Sequence, residues 1–88
     1  MERLSLATVQ DRIKELLATR LDVHPTLLAE ADGETPLIGA GIGLDSVEAL
    51  ALAAAVEEAF GIEIAADDFT TELFSSLARL SSYVVERV

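Results

Sequence analysis

Residues 43–64 read GLDSVEALALAAAVEEAFGIEI, and the fold turns on how they are read. From Ser46 to Phe60 the run holds no glycine or proline and is dominated by Ala, Leu and Glu, which favour helix. Gly61 then supplies a C-terminal stop. At about 3.6 residues per turn, one stripe collects Ala49, Leu52, Ala53, Val56 and Phe60. The opposite stripe collects Val47, Leu50, Ala51 and Ala54, flanked by Glu48, Glu57 and Glu58. Only one stripe can face the core of a small bundle. The other is then a shallow apolar strip rimmed by carboxylates, a surface suited to transient docking. The alternative is a central helix covered on both sides by the long connection that precedes it.

Working outward, Leu6, Val9, Ile13, Leu16, Leu17 and Leu21 form a helical stripe and predict a first helix over 5–20, capped by Ser5 or Thr8. Residues 22–44 read as a long connection, interrupted by Pro25, Pro36 and four glycines, with a helical turn around Thr26–Ala31. Val23, Leu27, Leu28, Leu37 and Ile38 are expected to fold it back over the bundle. After Gly61, Ile62 and Ile64 return toward the core, and Ala66–Phe69 reads as a short turn of helix. A last helix over Ser76–Arg87 carries Leu77, Leu80 and Val84 on one stripe. Strand-like alternation is confined to Ile62-Glu63-Ile64. The expected fold is all-α: a small antiparallel four-helix bundle, three longer helices and one short one, with a long loop after the first, in a single domain over 1–88.

Composition narrows the function. The net charge is −10, all six Lys and Arg lie within 3–20 and 79–87, and twelve of the 16 acidic residues lie between Leu21 and Ala78. Such a face repels phosphate backbones, so nucleic acid is not an expected partner, and it steers basic proteins toward itself. No apolar run approaches the roughly 20 residues of a membrane span, and the N-terminus lacks a signal-peptide pattern. The chain reads as cytoplasmic, soluble, monomeric and, with an initiating Met and no linker tract, freestanding; the alternative is a domain cut from a longer protein. There is no cysteine and one histidine, His24, ahead of Pro25, so no metal site and no Ser–His nucleophile pair is expected. The glycines match neither a phosphate-binding loop nor a dinucleotide fingerprint. No catalytic residue is assigned; the chain reads as a non-enzyme.

Ser46 therefore has two readings. Asp45-Ser46-Val47-Glu48 fits a capping box, with Asp45 as N-cap and Glu48 three residues on, which leaves Ser46 merely tolerated in the first turn. Alternatively, Ser46 is a substrate: a hydroxyl at a helix start whose free N–H groups and positive helix end would hold a phosphodiester.

Gly43–Val47, G-L-D-S-V, is similar to the G-x-D-S-[L/V] motif of acyl carrier proteins. The resemblance extends through "VEEAFGIEI", the acidic turn "ADDF" and "ELFSSLARLSSYV", in the family's order and spacing, and covers most of the chain. It implies that a phosphopantetheinyl transferase attaches 4′-phosphopantetheine from coenzyme A to Ser46, beside Asp45. The arm's thiol would carry acyl groups as thioesters for fatty-acid, polyketide or related biosynthesis. The resemblance further implies that Asp45, Val47, Glu48, Leu50, Ala54 and Glu57 meet acyl-loading, condensing and modifying enzymes with basic docking surfaces. It assigns Leu52, Val56, Phe60, Ile64, Leu77 and Leu80 to an interior that lines an acyl chain in some members. An aminoacyl or peptidyl carrier and a plain acidic interaction module are the alternative functions.

Overall fold

A computed structural model describes residues 4–88; Arg3, one of the basic residues near the N-terminus, lies outside the described residues. Four α-helices follow one another: α1 over Leu6–Arg20, α2 over Pro25–Glu30, α3 over Ser46–Phe60 and α4 over Leu77–Arg87. A single 3-10 turn, Ala66–Asp68, stands between α3 and α4. No strand forms among the described residues; Ile38 and Leu44 make one isolated parallel bridge. The all-α bundle expected from the sequence is the observed fold, with its short α-helix lying inside the long connection.

Each helix ends where its sequence allows. Ser5 Oγ accepts from Thr8 N at 3.1 Å and caps α1. At the other end Asp22 takes a left-handed φ of 58°, and Val23 N donates back to Leu17 O at 3.0 Å, closing the last turn. Pro25 opens α2, where its missing N–H costs nothing. His24 is exposed and caps that helix, its Nδ1 accepting from Thr26 N at 3.1 Å. Gly61, at φ 66°, closes α3.

α1 approaches all three other helices. Its Val9, Ile13 and Leu17 are fully buried and meet a core built from Leu37, Leu52, Val56, Phe74, Leu77, Leu80 and Val84. Ser81, the one buried polar residue among those described, donates to Leu77 O at 2.7 Å and so enters the core satisfied. Lys14 Nζ donates to Ala31 O at 2.8 Å, tying α1 to the end of α2. Two side chains depart from the sequence reading. Leu6 and Leu27 remain 41% and 43% exposed, because each lies on the first turn or two of its helix, beyond the reach of the core.

The connection before α3 is stitched to the start of α4. Leu77 N donates to Thr35 O at 2.9 Å and Ala78 N to Gly33 O at 2.7 Å, while Arg79 N donates to Ser76 Oγ at 3.1 Å. The first three N–H groups of α4, which no helix can satisfy internally, thus all find acceptors. Leu37 N donates in turn to Phe74 O at 3.2 Å, and Leu44 N to Leu37 O at 2.9 Å. Ile42 N closes the loop onto Pro36 O at 3.0 Å.

That closure sets Gly41 at φ +75°, with its missing side chain facing the Pro36 carbonyl oxygen. Gly39, at φ +70°, has open space in the same place. A left-handed non-glycine residue costs roughly 1–2 kcal/mol. Gly39→Ala is therefore expected to destabilise by about 1 kcal/mol, and Gly41→Ala by on the order of 3 kcal/mol because backbone must also shift. Urea denaturation followed by circular dichroism separates the two; equal losses would contradict the loop geometry.

Candidate functional site

The residues leading into α3 alternate. Ile42 and Leu44 are buried, at 7% and 3% exposure, and between and after them Gly43, Asp45 and Ser46 are exposed. Leu44 thus anchors the chain in the core two residues before Ser46. Asp45 and Glu48 form the complete capping box: Asp45 Oδ1 accepts from Glu48 N at 2.7 Å, and Glu48 Oε1 accepts from Asp45 N at 3.1 Å. Ser46, the first residue of α3, has no part in that box, and among the described residues no side-chain hydrogen bond engages its hydroxyl. The N–H groups of Ser46 and Val47 have no intrahelical acceptor and face the positive end of the helix macrodipole.

A cleft of about 140 Å³ opens beside Ser46, walled by Ala49 of α3, Ile38 of the glycine loop, and Phe69, Thr70, Thr71 and Phe74 of the segment before α4. Phe69 and Phe74 meet edge to face, with ring centroids 5.2 Å apart. No side chain lining the cleft is titratable.

The second stripe of α3 stands in solvent. Val47 is 73% and Leu50 55% exposed, and Ala51 and Ala54 are exposed with them. The connection over 22–44 does not cover it. The carboxylates flanking it are not all equivalent. Glu48 belongs to the capping box, and the half-buried Glu57 accepts from Ile64 N through Oε2 at 2.8 Å, bracing the chain after α3.

Every Lys and Arg among the described residues is engaged within the molecule. Arg20 pairs with Glu58 at 3.0 Å, Arg79 with Glu72 at 3.2 Å and Arg87 with Asp68 at 3.5 Å. Arg12 lies over the Phe60 ring at 5.1 Å, and Lys14 is held by Ala31 as above. The surface around α3 therefore presents carboxylates and apolar groups.

The family described as phosphopantetheine attachment site matches residues 11–84. The chain belongs to this family. It is 41% identical over 54 residues to the non-reducing polyketide synthase stbA of Stachybotrys bisbyi, a match covering 61% of this chain and 2% of that protein. The chain thus spans a small fraction of that relative's length. No solved structure matches the chain. The protein is a phosphopantetheine-bearing carrier, and 4′-phosphopantetheine is the prosthetic group its family attaches. Family members of this kind are generally non-catalytic and work with a phosphopantetheinyl transferase and synthase enzymes. Among the described residues no helix is long and apolar enough to cross a membrane. The residues at the start of α3 fit the group: an exposed hydroxyl free of capping duty, unpaired N–H groups, and an open cleft alongside.

The stripe read as interior lies in the interior, apart from the cleft. Leu52, Val56, Leu77 and Leu80 are buried in the bundle core, Phe60 and Ile64 are half-buried and pack against it, and none of them walls the cleft beside Ser46. The cleft's own walls were missed because they come from three separate segments. Their one sequence signal is the pair Phe69 and Phe74 flanking polar residues after an acidic turn.

The capping geometry yields a contrast. Asp45→Ala is expected to cost about 1–2 kcal/mol through loss of the cap, and Ser46→Ala less than about 0.5 kcal/mol. Thermal unfolding of the two variants checks this; equal destabilisation would mean that Ser46 shares the capping role.

Proposed function

We propose that Ser46 is the attachment residue and that the chain, as one carrier domain over 1–88, presents acyl groups to partner enzymes. The observation that carries this reading is the exposed Ser46 hydroxyl at the start of α3, beside a capping box that Asp45 and Glu48 complete without it. Ser46 supplies the oxygen that bonds to the pantetheine-bearing phosphorus of coenzyme A, the pyrophosphate bond to the nucleotide breaks, and adenosine 3′,5′-bisphosphate leaves. The Ser46 hydroxyl proton passes to a base of the transferase; the cleft lining carries no ionisable side chain, and Asp45 and Glu48 each hold the other's amide through one oxygen. The bound group supplies a thiol that the chain itself lacks, on which acyl groups ride as thioesters. Tethering raises the cargo's effective concentration at each partner.

Polyketide biosynthesis is the favoured pathway, on the likeness to a polyketide synthase; a fatty-acid or related acyl pathway uses the same chemistry. The partner surface is Val47, Leu50 and Ala54, with Asp45, Glu48 and Glu57 around it, and the partners are enzymes with basic docking faces. A monomeric state and a cytoplasmic location complete the proposal. The exposed strip alone also fits an acidic interaction module, and an aminoacyl or peptidyl carrier shares the attachment chemistry; Asp45 before the serine favours the acyl side.

Incubation with coenzyme A and a broad-specificity transferase should add one phosphopantetheine by intact mass, and Ser46→Ala should add none. An unchanged mass, or the same gain in the alanine variant, removes the attachment reading. An interaction module predicts that Ser46→Ala keeps full activity.

Docking is tested separately with Leu50→Ala, which touches neither the cap nor the core. Its kcat/KM as a transferase substrate should fall about tenfold, while its stability changes by less than about 0.5 kcal/mol. Unaltered loading would place the transferase contact elsewhere.

A further inference from the structure

The segment between α3 and α4 supplies the Phe69–Thr71 wall of the cleft beside Ser46, yet only three of its residues, Ala66–Asp68, are helical. Its far end is set in the core by Leu73 and Phe74, and its near part is held from outside. At its beginning, Glu57 of α3 holds Ile64 N, as described above. In its middle, it is held by α4. Tyr83 Oη donates to Asp68 Oδ2 at 2.8 Å and accepts from Ala65 N at 3.3 Å. Arg87 stacks its guanidinium on the Tyr83 ring at 3.4 Å, reaches Asp68 Oδ2 at 3.5 Å and donates to Tyr83 O at 3.2 Å. Asp68 is followed directly by Phe69, and Thr70 N donates to Asp68 O at 2.9 Å. A shift of Asp68 therefore moves the cleft wall.

We infer that Tyr83 is a positioning residue for the cleft: through Asp68, and with Arg87 against its ring, it sets the Phe69–Thr71 wall and hence how far the cleft beside Ser46 opens. The functional value of that setting rests on Ser46 carrying the arm; the mechanical claim does not. Three features favour a clasp over incidental surface contacts. One phenol both donates and accepts, one carboxylate takes a phenol and a guanidinium, and the whole is anchored on α4, whose first turn is itself fixed by Gly33 and Thr35. Desolvation, followed by donation to Asp68, holds the Tyr83 phenol above its ordinary pKa, so it remains a donor throughout the neutral range.

The test uses the unmodified full chain. In Tyr83→Phe, amide hydrogen exchange at Ala65, Phe69, Thr70 and Leu73 should speed by about tenfold, the size of one charge-assisted hydrogen bond, while Leu52 and Val56 of α3 keep their protection. The amide resonances of Ser46, Ala49 and Ile38, across the cleft, should shift with it. Asp68→Asn, which still accepts from the phenol but no longer faces Arg87 with a charge, should give an intermediate effect. The chain has one tyrosine and no tryptophan, so tyrosinate absorbance reports Tyr83 alone; its midpoint should fall toward the ordinary phenol value in Asp68→Asn. Unchanged exchange in Tyr83→Phe, faster exchange spread equally over α1 and α3, unmoved resonances at Ser46 and Ala49, or an unmoved phenol midpoint would each overturn the inference. Loading by the transferase is measured beside these: a wild-type chain that takes no phosphopantetheine defeats the attachment reading, while exchange and resonances still decide the clasp.

Discussion

The structure depends on how the first turn of α4 is satisfied. Leu77 and Ala78 give their N–H groups to the carbonyls of Thr35 and Gly33, not to a side chain. A helix start buried without acceptors is costly, so the connection over 22–44 and α4 are fixed against one another. Leu37 N on Phe74 O continues the seam, and Leu37 and Phe74 both lie buried beneath it. The glycine loop is therefore held at both ends, and α3 begins where the loop delivers it. Ser46 owes its place to a seam formed thirty residues later in the chain.

The same arrangement explains how a chain this small combines a rigid base with an accessible hydroxyl. Leu44 and Ile42 are driven into the core by burial of their apolar surface, and the residues between and after them are pushed outward. Asp45 and Glu48 satisfy each other's amides, so the helix start is stable without drawing on the serine. Charge acts at longer range. The cations of the described chain are each held by an internal partner. Individually these exposed pairs contribute little to stability, roughly 0–1 kcal/mol each. Their consequence is for the surface that remains, which is left with carboxylates and apolar groups.

Much of the fold was legible because local chemistry decides it. The bounds of α3 follow from a glycine-free helical run between Asp45 and Gly61, and both caps are visible as residue types. The stripe Val9, Ile13, Leu17 is a spacing that only a helix turns into a face. The solvent strip of Val47, Leu50, Ala51 and Ala54 was readable for the same reason. Less legible were positions where periodicity gives no direction: Leu6 and Leu27 look like core residues and stay exposed. Glu57 looks like a surface acid, yet its carboxylate organises the turn after α3.

The sequence by itself determined the helical runs, the local caps at Ser5, Asp45 and Gly61, the acidic middle of the chain and the serine at the head of α3, since each rests on residues within a few positions of one another. The tertiary structure alone decided which residues wall the cleft beside Ser46, that Tyr83 and Arg87 hold Asp68, and that Gly33 and Thr35 cap α4. The hydrogen bonds among them join residues at least 15 positions apart along the chain, the cleft gathers three separate segments, and no local preference specifies such partners. They are chosen by burial, and by the need of each buried N–H to find an acceptor.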